Sequence, residues 1–186
     1  KKNKQKINET KINYQSNFVR KHLGTFRQAY QKAPFFNEIF PIIESVYSNN
    51  FEYLVDFNMD SINKICDELN INFNITNSSK LVNDMKLDSK LKGNDLVLKI
   101  CIITNCKKYF SGRGCLDFIK PNKFNESGID FYFQHFIHPT YPQNNSDYFI
   151  SHLSIIDSLM YLGFDGVSTL IKKQKKSYQH NKCTSL

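Results

Sequence analysis

Sixteen Phe and ten Tyr stand in this 186-residue chain beside only two Ala, Ala29 and Ala33, and no Trp. Any core it builds must therefore be made of rings and branched aliphatics. Aromatic side chains bury about 150–250 Å² each, and a domain of this length hides roughly 70% of the surface its unfolded chain exposes. With 40% hydrophobic and 23% charged residues, most of the chain must fold rather than stay disordered. The longest apolar stretch, Leu96 to Ile103, is broken by Lys99. It is far shorter than the roughly 18–20 residues a bilayer span needs, and neither a transmembrane helix nor a secretory signal is read.

A net charge of +8 invites a nucleic-acid reading until the charges are placed. Nine of the 25 cations lie in residues 1–6 and 172–186, which hold no acid, and the remaining 16 face all 17 acids. The body of the chain is thus close to neutral, and Lys outnumbers Arg 22 to 3, whereas a specific nucleic-acid reader favours the Arg fork on its folded surface. No specific nucleic-acid partner is expected. That ratio, with 21 Asn and 19 Ile, reflects an A/T-rich coding bias. The five cysteines, at 66, 101, 106, 115 and 183, are odd in number and form no C-x-x-C pair, which points to reduced thiols in the cytoplasm rather than a disulfide framework or zinc ribbon. Five Asn-x-Ser/Thr sequons exceed only slightly the two or three that chance would give.

Residues 1–6 and 172–186 read as basic tails around one compact domain, residues 7–171. The fold class expected is α+β, mostly helical with a few short strands. Ile7 to Tyr14 alternates weakly, as a short strand would. Asn17 is placed to cap a helix carrying Val19, Leu23, Phe26 and Tyr30 and ending at Ala33. Helices follow over Phe36 to Val46, with Pro41 inside, and over Phe51 to Leu69. Asn70 stops the latter, and Ile71 to Ile75 alternates like a strand. Asn77 to Gly93 reads as a loop, and Asn94 or Asp95 caps a helix that carries Leu96, Ile100 and Ile103. Tyr109 to Cys115 then leaves regular structure, and Ile129 to Ile137 is the clearest strand. Asp147 caps a helix from Phe149 to Met160, Gly163 stops it, and a last turn-helix covers Asp165 to Ile171.

Several segments could carry chemistry. Tyr109-Phe-Ser111-Gly112-Arg113-Gly114 offers two glycines, a hydroxyl and a guanidinium, which suits either an anion-binding loop or a plain helix stop, and it is not a Walker loop. Gln134, Tyr141 and Gln143 group amides and a phenol that could bond sugar hydroxyls or loop backbone. Ser154 and Asp157, three apart in an apolar helix, face either solvent or a pocket. His135 and His138 point to opposite faces of a strand, so no metal site is read there, and His22 and His152 stand singly. No Ser/His/Asp order or nucleophile elbow occurs, and the residues name no cofactor.

His22, Tyr30-Gln-Lys-Ala-Pro-Phe-Phe36, Ser78-Ser79, Cys101, Tyr109-Phe-Ser-Gly112, Phe133-Gln134, Tyr141-Pro-Gln143, Leu153-Ser-Ile-Ile-Asp157 and Gly163, in that order, resemble the WbqC-like family over about residues 12–166. The resemblance implies a cytoplasmic role in making or decorating sugars for a surface polysaccharide such as an O-antigen. The partner would be a nucleotide-linked or carrier-linked sugar. The family's first strand-bearing segment, with a Gln-Pro-x-Tyr motif, is absent from this sequence. The chain therefore reads either as a fragment or C-terminal domain of a longer protein, with an upstream domain of the same polypeptide as a further partner, or as a reduced member. One reading is a transferase that moves an acyl-type group onto the sugar. In it His22 or Asp157 is the catalytic base, while Tyr109, Ser111, Gly112, Arg113, Gln134, Tyr141, Gln143 and Ser154 bind substrate. The other is a non-catalytic glycan-binding or partner-docking module.

Overall fold

Apolar residues three or four positions apart become helices in the computed structural model, which describes residues 5–88, 90–134, 136–143 and 148–174. The mostly helical α+β class holds, with seven α-helices and one two-stranded parallel sheet among the described residues. The chain divides into two compact units, one formed by the residues up to 73 with 138–172, the other centred on residues 74–137.

The first unit contains α1 (Phe18–Tyr30), α2 (Phe36–Ser48), α3 (Leu54–Glu68) and most of α7 (Ile155–Gln174). Its core joins Ile39, Phe40 and Ile43 of α2 to Leu159, Met160 and Val167 of α7, with Ala33 and Leu69 at the edges. Each such side chain contributes about 1.5–3 kcal/mol on burial. The Ala33-Pro34-Phe35 turn docks on α7, where the Phe35 N–H donates to Met160 O at 3.1 Å. Gly163 sits beside that turn with φ +65° and ψ −178°, interrupting α7 where the sequence places a stop. A Cβ at 163 would lie 2.7 Å from the Phe35 ring, so both backbone and packing require glycine there.

The second unit runs α4 (Ser78–Asp84), α5 (Gly93–Ile103), β1 (Lys108–Ser111), α6 (Pro121–Glu126) and β2 (Asp130–Phe133). The strands pair in parallel with Tyr109 opposite Phe131 and Ser111 opposite Phe133, and the Gln134 N–H extends the ladder to Ser111 O at 2.8 Å. Phe124 of α6 is fully buried against Cys101, Ile119, Ile129 and Phe131, and its ring stacks on Tyr109 at 5.2 Å between centroids.

Several local expectations give way to these contacts. Tyr109 to Ser111 is strand rather than loop, because β2 offers it a parallel partner. Ile71 to Ile75 is not strand: Phe73 and Ile75 are exposed, and neither belongs to a ladder. Ile7 to Tyr14 forms 3-10 turns around a single bridge from Lys11 to Tyr53. Asn77 nucleates α4 inside the expected loop, its Oδ1 accepting from the Ser79 N–H at 3.0 Å. Lys92 rather than Asn94 or Asp95 precedes α5, and Asn94 is buried, where its Oδ1 accepts the Lys120 N–H at 2.7 Å. The helix foreseen from Phe149 starts only at Ile155, and its expected cap, Asp147, lies outside the described residues. α1 ends at Tyr30, short of Ala33. Four helices close on a left-handed residue, at Asn70, Lys86, Asn105 and Gly128. In each, the next N–H reaches back five residues to a helix carbonyl, as in a Schellman ending.

Candidate functional site

Ser154-Ile-Ile-Asp157 has the spacing of a capping box. Ser154 opens α7: its Oγ accepts the Ile156 N–H at 3.3 Å and its carbonyl the Asp157 N–H at 2.9 Å. In a capping box the acid at the third position turns back to the cap. The Asp157 carboxylate, only 4% exposed, instead collects side chains from elsewhere in the first unit. Tyr30, at the end of α1, donates its phenol to Oδ1 at 3.0 Å across 127 positions of sequence. Tyr141 donates to Oδ2 at 2.8 Å and the Gln143 amide to the same oxygen at 2.9 Å. All three donors are neutral, and the position in the first turn of α7 lets the helix dipole favour a negative charge.

Both amide hydrogens of Gln143 are committed. Its amide accepts the Ile150 N–H and donates to the Ile150 carbonyl, both at 2.9 Å, much as a neighbouring strand would, and its other N–H goes to Asp157. Burial first, and then Asp157, pushes the Tyr141 phenol up to about 12, with Gln143 pulling the other way. Burial and Asp157 together raise the Tyr30 phenol as well. Both phenols therefore remain protonated donors at neutral pH.

Rings gather on the far side of Tyr141. Phe149 meets it edge-on at 5.2 Å between centroids, and His138 lies 6.2 Å away and 5.1 Å from His152. His152 holds a left-handed φ of +62°, a conformation few non-glycine residues adopt outside constrained sites. Sequence reasoning left His138 and His152 out of the site because no spacing links them; only the return of the chain to α7 sets them together.

His22 does not join this cluster. It is exposed on α1 with Nδ1 3.1 Å from the Tyr47 hydroxyl, and it stands eight residues, about 12 Å of helix, before Tyr30. Of the remaining expected site residues, Tyr109, Ser111, Gly112, Arg113 and Gln134 lie in the second unit. Ser111 is 2% exposed and its hydroxyl donates to the Gly112 carbonyl at 3.3 Å. Tyr109 is half-buried, and its phenol is raised chiefly by burial, with the Ser111 hydroxyl opposing. Gly112, Arg113 and Gln134 are exposed. Gly112 has φ −68°, and nothing lies within 4 Å of a Cβ placed there or at Gly114, so neither glycine answers a backbone or packing demand. Strand alternation sets Gln134 on the sheet face of Asp130 and Tyr132, opposite Tyr109 and Ser111.

Two groups thus form: Tyr141, Gln143, Ser154 and Asp157, joined by Tyr30, in the first unit, and Tyr109 with Ser111 in the second. Among the described residues no three His, Cys, Asp or Glu side chains are arranged to hold a metal ion, and His135 lies outside those residues. No helix of the described residues is long and apolar enough to cross a membrane. The sequence profile of the WbqC-like protein family matches residues 1–169. No curated protein and no solved structure matches the chain.

Proposed function

The chain belongs to the WbqC-like family, and from that membership we propose that it acts in making or modifying a surface polysaccharide, transferring an acyl-type group to a hydroxyl or amine of a nucleotide-linked or carrier-linked sugar in the cytoplasm. The observation that carries this reading is the convergence of Tyr30, Tyr141 and Gln143, from distant parts of the sequence, on the buried carboxylate of Asp157. A phenol donating to a buried carboxylate keeps lone pairs of its own for a substrate hydroxyl. The sugar O–H passes its proton to Tyr141 as Tyr141 passes its own to Asp157. The sugar oxygen bonds to the acyl carbon, the bond from that carbon to its carrier breaks, and the carrier leaves with the proton. Asp157 rather than His22 takes the proton in this scheme, because only Asp157 shares a hydrogen bond with Tyr141. Tyr109, Ser111, Gly112, Arg113 and Gln134, which belong to the second unit, take no part in this step and are proposed only as substrate-binding residues of that unit.

A second reading, a glycan-binding module without chemistry, is favoured by the 4% exposure of Asp157 and the commitment of both Gln143 amide hydrogens to the protein itself. Melting temperature across a panel of nucleotide sugars, repeated for Tyr141→Phe and Asp157→Asn with acyl transfer followed on the sugar that shifts it, separates the two. Retained binding with transfer lost in both variants supports the transferase. A wild-type protein that binds sugar but transfers nothing supports the module, and no shift with any sugar overturns both.

A further inference from the structure

The end of α5 brings two cysteines together. Asn105 adopts φ +51°; its N–H bonds Ile102 O at 3.1 Å, and the Cys106 N–H reaches back to Cys101 O at 2.8 Å. In this kind of helix ending the two residues joined by the longer bond also touch through their side chains. Here both are cysteines. Cys101 is 5% exposed, Cys106 is half-buried with its Sγ donating to Lys108 O at 3.0 Å, and both pack in the core built around Phe124. The bond from the Cys106 N–H to Cys101 O ties the two backbones directly together across the turn, and a disulfide spans Cα atoms roughly 4.4–6.8 Å apart.

We propose that Cys101 and Cys106 form a dithiol–disulfide site that a peroxide oxidises and a small thiol restores. Cys106, the more accessible of the two, attacks the peroxide. Its S–O bond forms, the O–O bond breaks, and one water leaves with the thiol proton. The Cys101 sulfur then attacks the Cys106 sulfenic acid; the S–S bond forms, the S–O bond breaks, and a second water leaves with the proton of Cys101. Two thiols and one peroxide give one disulfide and two waters, with two electrons moved. Burial raises the Cys101 thiol, and the neighbouring Cys106 raises it further, so Cys101 acts as the resolving rather than the first-attacking thiol.

The crosslink would join the last turn of α5 to the residue two before β1, fixing the turn that now hangs on hydrogen bonds. Because no sugar chemistry enters, the proposal is independent of the transferase reading.

The sequence makes the test direct: no Lys or Arg separates the two cysteines, so trypsin releases Ile100 to Lys107 as one fragment carrying both. After the full chain is treated with stoichiometric hydrogen peroxide, that fragment should lose the mass of two hydrogens, resist alkylation, and regain both thiols with dithiothreitol. Cys115→Ser should leave this unchanged. Cys106→Ser should abolish it, and Cys101→Ser should leave Cys106 as a sulfenic acid captured by dimedone. Pairing of Cys106 with Cys115, or a fragment with both thiols still free or Cys106 driven to sulfinic acid, would overturn it; the wild-type result stands even if a variant fails to fold.

Discussion

Asp157 and Ser111 are buried to nearly the same degree, 4% and 2% exposed, yet their surroundings have little in common. Asp157 gathers two phenols and an amide from two stretches of chain, so its neighbourhood is polar and made by tertiary structure. Ser111 bonds the carbonyl next to it, at 3.3 Å, and the residues around it form an aromatic core with Phe124 and Phe131. Each is a polar residue in a mostly apolar motif, Leu153-Ser-Ile-Ile-Asp157 and Tyr109-Phe-Ser-Gly112, and sequence alone would rank them alike. The difference teaches that a buried polar residue points to chemistry when distant groups are ordered around it, and to packing when its partner is local.

The largest effect expected strikes the apolar side of that contrast. Phe124→Ala removes the ring that closes the second core and should cost about 3–5 kcal/mol in denaturant unfolding. Asp157→Asn tests the polar side, where an amide can accept from some of the three donors but must turn its own N–H₂ toward another. A loss of about 1–3 kcal/mol is expected, since a donor is left unpaired in a buried site. A loss well under that range would show that water already serves the cluster.

Alkaline titration sharpens the comparison further. The folded Tyr141 phenol holds its proton to about 12, against 10.0 for a free tyrosine. The folded state thus binds this proton more tightly than the unfolded state. Its contribution is complete below about pH 10 and is lost as pH rises towards 12. Stability measured by denaturant across that window should fall, and Tyr141→Phe should make the fall shallower. The smallest effects belong to the second region. Ser111→Ala should cost about 1 kcal/mol, while Arg113→Ala, at an exposed position, should stay within about 0.5 kcal/mol. A stability loss from Ser111→Ala without any change in sugar binding would remove Ser111 from the proposed substrate contacts.

How far this could be read in advance depended on whether a signal was local. The stripes of α1, α2 and α3 declare themselves because their periodicity lies within one element, and Gly163 marks its break because no other residue suits a left-handed turn against Phe35. β1 was hidden, since Tyr109 to Ser111 is too short to alternate convincingly and its partner lies about twenty residues on. α4 was hidden because its seven polar-rich residues resemble a loop until Asn77 is seen capping them. Within the candidate site, Tyr141, Gln143, Ser154 and Asp157 are legible as polar residues near one another in sequence. Tyr30 enters through a bond spanning 127 positions, which no spacing rule encodes.

The left-handed residues at the helix ends carry a consequence for how such a chain can change. At Asn70 and Asn105 the chain uses asparagine where glycine is the common solution, and it holds 21 Asn against 7 Gly. Asparagine tolerates that backbone because its short amide bonds locally, so a coding bias that supplies Asn in excess meets a fold able to spend it where a helix must stop. Exchange between the two residues at these positions should be close to neutral. A lineage moving to a richer G/C content could rewrite the ends of α3 and α5 without moving the helices themselves.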